Sequence, residues 1–498
     1  MSAPRFAELF VWEWRRVGRS PLLWSILAIL AASFVWGAVG TSRLHAAQDA
    51  ALQRARDADA AFERSAAERA RAYRAPVTAS AGQVAYWQDP TNVAGYSQYF
   101  VRKTALKPHL PLSPLAAGVS DLAPSRLEIK LNTPFGFSDT YDFENPRGLA
   151  LGRFDLAFAV VFLLPIGLLL LFALLVTFER DRGMLPLVAA QAVGPRAWIG
   201  ARVAAILAWT APVVVVAMVA ALALAGVPLG TVTASVAIAV LITILYMLFW
   251  SGVALLVLAR QPGAGAALGS FAAIWAALTI GLPLAGSALA GAIDPAPSAI
   301  EYVDAQRRTG DEIEADRDAL LHKALMARPD LRDHIDHAST LDYATRLSFL
   351  IPETERRLAP LRSAIDAHRA RQERVAALAG YVVPALGLES AFAALAGTDP
   401  SRQREFERQA VEYQHQLRTI VYPLVHSEIT QPPAPAERAT RGRLNLREPL
   451  ALPSFELADR SAAARNAAVL PFAAWLALLT LLYTGFGLWR IRAWQVTR

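Results

Sequence analysis

The sequence contains no cysteine and only four lysines, Lys103, Lys107, Lys130 and Lys323. The first absence excludes a disulfide framework, a thiolate metal site and a cysteine nucleophile. The second is as informative: none of the lysines follows a glycine, so the chain has no Gly-Lys-Ser/Thr loop to cradle nucleotide phosphates. Neither His-Glu-x-x-His nor Gly-x-Ser-x-Gly occurs, which removes the common hydrolase motifs. No catalytic residue and no cofactor is expected. A cleavable signal peptide is not expected either, because the first apolar run is long, starts late and lacks a small-residue cleavage site.

Charge is scarce too. Charged residues make up 18% of the 498 positions and hydrophobic ones 54%, too apolar for an ordinary soluble protein. The net charge of +7 does not point to nucleic acid. The basic residues stand beside apolar runs or among acids, which is how membrane orientation is encoded.

Six runs are long enough to cross a bilayer, which takes about 20 helical residues. They are 21–40, 154–178, 204–225, 232–258, 264–290 and 467–489. Arg5, Arg15, Arg16, Arg19, Arg180, Arg182, Arg196, Arg202, Arg260, Arg490, Arg492 and Arg498 fall on one side, while the 226–230 turn has no basic residue. The positive-inside rule makes that side, with both termini, cytosolic, as in a bacterial inner-membrane protein. The fold class expected is an all-α polytopic membrane protein with two large extracytoplasmic insertions. Its parts are a cytosolic interfacial helix (1–20), the first span (21–40), a first insertion (41–150) and four spans over 151–291 with a cytosolic loop at 179–201. A second insertion (292–466), the last span (467–489) and a tail (490–498) complete it.

The spans hold almost no ionisable groups, which argues against ion-coupled transport and against a charge-selective channel. Pro165, Pro212 and Pro283 predict kinks. Gly265 and Gly269, and Gly281 and Ala285, are four apart in the fifth span, which suits close helix approach. Packing within the subunit is the first reading of that spacing, ahead of a dimer interface.

Residues 4–17 read as an amphipathic helix in the membrane interface, with Phe10 and Trp14 on its apolar face. Glu13 falls inside the apolar arc. Snorkelling to water is the simpler reading, and pairing with an arginine of a partner subunit is the other. The first insertion starts as a helical stalk, residues 43–74, and then becomes proline-punctuated. Leu127, Ile129 and Leu131 alternate with polar residues as in a half-buried strand, so the insertion is mixed α/β. The paired acids Asp139 and Asp142 beside Tyr141 read as a decorated turn. The second insertion is mostly helical, with amphipathic helices over 300–328, 353–374 and 402–422. Residues 375–397 are nearly long enough to cross. Pro384, Gly387 and Glu389, and the charge of the carboxyl terminus, place them outside or at the interface instead. His334 and His337, among Asp330, Asp333 and Asp336, have a spacing that suits a metal, but an acid-rich solvated surface is the plainer reading.

The sharpest constellation follows the second span: Phe178-Glu179-Arg180-Asp181-Arg182-Gly183-Met184-Leu185-Pro186-Leu187, with Gln191 and Pro195-Arg196 after it. A plain stop-transfer loop explains the arginines but not the acids beside them or the amphipathic turn that follows. The stretch resembles the cytosolic segment of type-2 ABC exporter permeases, departing from it where Met184 replaces the customary threonine. Asn145-Pro146, Gly152 to Phe158, and Leu395-Ala396-Gly397-Thr398-Asp399 with Arg404 and Phe406 are similar to a subgroup with two large outward insertions. That subgroup is labelled as multicopper-enzyme-maturation permeases or as a domain of unknown function.

The resemblance implies that Glu179, Arg180, Asp181, Arg182, Gly183, Leu185, Gln191 and Arg196 dock on a separate ATP-binding subunit. The interfacial helix, with Phe10, Glu13 and Trp14, would pack beside them, and two permeases would pair, as one copy or two related ones. The function so implied is that of the membrane subunit of an ABC system coupling ATP hydrolysis on a partner chain to export or release of a substrate. Two alternatives stand beside it: a mechanotransmitting subunit acting on a periplasmic client such as a metalloenzyme, and an energy-free scaffold.

Overall fold

The computed structural model describes residues 6–74, 85–135, 154–184, 194–431, 446 and 450–491. Six helices are long and apolar enough to cross a membrane, which makes the chain a multi-pass membrane protein. Helix α1 (Phe6–Gly18) precedes the first span, which belongs to a single 54-residue helix, α2 (Pro21–Arg74). At 1.5 Å per residue α2 is about 80 Å long, so its second half is the stalk expected from the alanine-rich sequence. The other spans are α3 (Leu156–Val176), α4 (Pro195–Leu224), α5 (Thr233–Leu258), α6 (Ala264–Ile293) and, last in the chain, α12 (Ala462–Arg490). Alternating crossings put α1, residues 177–184 and the 259–263 loop on one face of the membrane, called near here. Both insertions are on the far face.

The spans are locked by small residues and by replacements for missing backbone partners. A Cβ at Gly252 of α5 would stand 2.9 Å from Tyr483, and one at Gly487 of α12 would stand 2.7 Å from Leu255, so these two helices meet backbone to backbone. Pro165 has no N–H for the Val161 carbonyl one turn earlier. The helix widens into a π turn over Ala159–Leu163, and the buried Tyr246 hydroxyl donates to Val161 O at 3.0 Å. Asp155 caps α3 by accepting from Phe158 N (2.6 Å) and holds Ala117 N (2.8 Å), tying the span to the first insertion.

The far side is one interwoven domain. Strands β1 (Arg102–Leu106) and β2 (Arg126–Lys130) pair antiparallel, and the Leu127–Ile129–Leu131 face is buried as its alternation predicts. That face packs on the second insertion's helices, so both insertions share a core with Phe406, Ala410, Tyr413, Leu417, Val421 and Val425 of α11 (Pro400–Ser427). Earlier in the second insertion come α7 (Ala299–Ala315), α8 (Arg317–Met326), α9 (Tyr343–Val382) and α10 (Pro384–Ala396). An extended strap, 450–460, returns to the last span along α11, with Tyr413 Oη donating to Pro453 O (2.7 Å) and Arg402 paired twice with Asp459 (2.7 Å).

Residues 375–397 do not cross, yet they are not outside the bundle. The chain turns at Val383, and α10 packs through Leu388, Phe392, Leu395 and Ala396 into the same core as the spans. The result is a re-entrant hairpin. A Cβ at Gly387 would collide with the Phe472 ring and the Gly380 carbonyl, so glycines let its arms approach. At the tip Trp475 Nε1 donates to Tyr381 O (2.6 Å), replacing a helical bond lost at the turn. Trp475 lies about 12 Å along α12 from residue 467, where the apolar run of the last span begins, so the tip sits among the spans rather than above them. The Leu395 to Asp399 stretch is the joint between this hairpin and α11. Gly397 takes φ +68° to end α10, Thr398 Oγ donates to Ala116 O (3.0 Å), and Asp399 caps α11 through Ser401 N and Arg402 N.

The fifth span corrects an expectation. A Cβ at Gly265 or Gly269 would meet nothing within 4 Å, and one at Gly281 only its own helix. Subunit packing does not occupy this face. Gly265, Gly269, Ala273, Ala277, Gly281 and Ala285, each four apart, are all exposed.

Candidate functional site

The near face is organised by Arg202, seven residues into the third span from Pro195 and 2% exposed. Its Nη2 donates to Glu13 Oε1 (2.7 Å) and Glu179 Oε1 (2.8 Å), and its Nε to Glu13 Oε2 (3.0 Å). Its Nη1 is bonded to Glu179 Oε2 and reaches Leu175 O at 3.3 Å. Arg16 adds a second cation, 2.6 Å from Glu179 and 3.6 Å from Glu13. Two guanidiniums thus balance two carboxylates, and the planar fork of Arg202 engages both acids at once. Burial pushes the Glu179 carboxyl up, but the hydrogen bond and charge of Arg202, with Arg16 behind it, outweigh this and hold it below its usual range. The Trp198 ring lies 4.7 Å under the Arg202 guanidinium.

This joint corrects the reading of Glu13. It does not snorkel to water but is 8% exposed, and its arginine belongs to the same chain, 189 residues away. Arg202 itself was legible only as one more inside-positive charge. The signal that could have found it was a lone cation and a lone acid, each inside an otherwise apolar arc. Trp14 stacks on Trp209 at 4.9 Å, and Trp209 Nε1 donates to Trp14 O (2.9 Å), so α1 lies flat on the third span. Phe10 packs against the same core.

The loop residues divide into two groups. Glu179 is buried in the joint, and Asp181 accepts from Ala264 N with both oxygens at 3.1 Å, capping the fifth span from outside its own sequence. Arg196 Nε donates to Leu488 O (2.8 Å), fastening the third span to the end of the sixth. Arg180, Arg182 and Gly183 are left exposed. Arg182 lies 4.2 Å over the Phe178 ring, and Gly183 takes φ +69° to end the one-turn helix Phe178–Asp181, with Met184 N bonded to Glu179 O (2.8 Å). Leu185, Gln191 and the amphipathic 186–193 segment lie outside the described residues, as do Asp139, Tyr141 and Asp142. The third span begins nine residues before the expected 204, so Arg196 is helical rather than in the loop and Arg202 lies within the span rather than just before it.

Two other constellations were weighed for chemistry. His334 sits in a 3-10 run, Arg332–Thr340, with its own backbone out of helical geometry. Among the described residues no group of three His, Cys, Asp or Glu could hold a metal. In the far domain Ser348 Oγ is 2.9 Å from His426 Nε2, but Ser348 donates to Thr345 O (2.7 Å) and Arg328 donates to His426 Nδ1. Nε2 must then carry the proton and donate to the serine, so no base is free to activate it. Burial, with Arg328 beside it, pushes His426 down to about 4.

Residues 299–431, from the start of α7 to the end of the helical insertion, match the family described as Domain of unknown function (DUF3526). No curated protein matches, and no solved structure matches. The chain is therefore a multi-pass membrane protein whose second insertion is similar, over 299–431, to that family.

Proposed function

We propose that this chain is the permease subunit of an ATP-binding-cassette system, and that a separate ATPase engages the loop behind the second span on a cytosolic near face. The observation that carries the reading is the buried joint of Glu13, Arg16, Glu179 and Arg202. It makes the end of the second span, the start of the third and the helix leading into the first a single body. Breaking one partner of such a buried set costs about 3–5 kcal/mol, so a push on the exposed Arg180–Gly183 corner moves three spans rather than one loop. Asp181 and Arg196 extend the body to the fifth and sixth spans. Two such subunits would pair, and the exposed small-residue face of the fifth span is the surface suited to it.

A second reading keeps the ATPase and replaces the substrate path by mechanical work on a client at the far face. It is favoured by the interwoven far domain, in which both insertions and the strap to the sixth span share packing and the stalk joins them through Phe62 on Phe100 and Glu63 on Lys103. The test is co-purification. A tagged chain should retain an ATPase subunit, and Arg180→Glu with Arg182→Glu should release it with the chain's melting temperature unchanged. A chain that retains no ATPase leaves the scaffold reading, and one that retains it equally through the reversal overturns this corner as the docking site. Vesicle uptake with the ATPase present then separates transport from mechanical transmission.

A further inference from the structure

A cavity of about 510 Å³ lies in the far domain between the stalk, the region around β1 and the returning strap. It is within the roughly 300–1,000 Å³ range of small-molecule sites. Ala67 and Ala70 of the stalk face Tyr96, Phe100, Leu450 and Leu452 across it. The cavity exists because the stalk presents alanines here. The neighbouring helix α11 fills the same core with Phe406, Tyr413 and Leu417, whereas an alanine side chain ends at Cβ and leaves the gap open.

The polar groups at this cavity are unequal in sign. Arg64 and Lys103 line it, and the Arg69 guanidinium lies 5.3 Å over the ring of Phe100, another lining residue. Among the described residues the acid lining it, Glu63, pairs with Lys103 and cancels its charge, which leaves Arg64 and the nearby Arg69 as the excess, and Asp59, one turn earlier on the stalk, is engaged by Thr104. Burial raises the Tyr96 hydroxyl to about 12, so it stays a neutral donor. The stalk residues involved lie about 30–45 Å beyond Gly40 along the helix, too far for a lipid in the bilayer to reach.

We propose that this cavity binds a single-chain anionic amphiphile that has left the membrane, its chain against the alanine face and its head at Arg64. The apolar walls call for a hydrocarbon chain, the cationic excess for a carboxylate or phosphate head. The proposal stands apart from the ATPase reading, since it needs only the far domain.

The test uses the full chain in phosphatidylcholine nanodiscs, a diazirine-bearing palmitate, photolysis and peptide mapping. Label is expected on 60–70 and 96–103, competed by oleate and by a single-chain phosphate but not by a single-chain trimethylammonium. Ala67→Trp, which fills the cavity, should cut that label at least tenfold while label on the lipid-facing 282–293 segment persists and reports an intact fold. Arg64→Glu should lower it several-fold with the cavity intact. Label confined to the spans, label untouched by Ala67→Trp, or equal competition by the cationic amphiphile would each overturn the proposal. A site occupied by a partner's side chains rather than a lipid would give the first of these.

Discussion

Two faces of this protein use the same small residues to opposite ends. Where the fourth and sixth spans cross, Gly252 and Gly487 are filled by Tyr483 and Leu255 from the same chain. Along the fifth span, Gly265, Gly269 and Gly286 meet nothing. The near-face charges belong with the first case, since Arg202 and its two acids find all their partners inside one subunit. Closed contacts carry the stability of the fold; the open face contributes none of it. Substitutions should therefore separate cleanly into those that unfold the chain and those that change only its company.

The largest effect is expected at the joint. Arg202→Leu leaves two buried carboxylates facing each other and should cost about 3–5 kcal/mol, read as a lower denaturation midpoint in detergent; a loss under 1 kcal/mol would mean the joint is not closed. In the far domain His426 sets a pH limit. Its folded pKa, about 4, lies below the ordinary histidine value of 6.5, so the stability it confers is complete above pH 6.5 and drains away as pH falls toward 4. The loss is at most about 3 kcal/mol, from the size of that shift. Protection of α11 amides, corrected for the intrinsic slowing of exchange toward acid, should fall between pH 7 and 5, and His426→Gln should flatten that dependence.

Smaller effects follow. Gly487→Leu overpacks the crossing and should cost about 1–3 kcal/mol. Trp475→Phe strands the Tyr381 carbonyl at the hairpin tip, about 1–2 kcal/mol, with faster exchange in 375–390 as its signature. Gly269→Leu, on the open face, should change stability by less than about 0.5 kcal/mol. Its effect should appear in cross-linking of two tagged copies instead, and a destabilised monomer would show that the face is closed after all.

How far the sequence reveals this arrangement depends on the range of each interaction. The six spans, the stalk and the Leu127–Ile129 strand are written in local periodicity, and each is found there, the third span starting nine residues earlier than expected. The joint is not local: Glu13 and Arg202 are 189 residues apart, and hydropathy reads the arginine as a flanking charge. The re-entrant hairpin fails for a related reason. Its composition is nearly that of a span, and what turns it back is a proline together with Gly380, Gly387 and Trp475, contacts made only after folding. The candidate docking loop was visible as a motif. Which of its charges would be spent internally, Glu179 and Asp181, and which left exposed, Arg180 and Arg182, required the structure.

The most direct measurement exploits the absence of cysteine. A single cysteine at Arg182, on the exposed corner, is treated with a membrane-impermeant maleimide in sealed vesicles of either orientation. Labelling in inverted vesicles alone, blocked when an ATPase subunit is bound, is the predicted result. Labelling in right-side-out vesicles would place this corner across the membrane from any cytosolic ATPase and contradict the account.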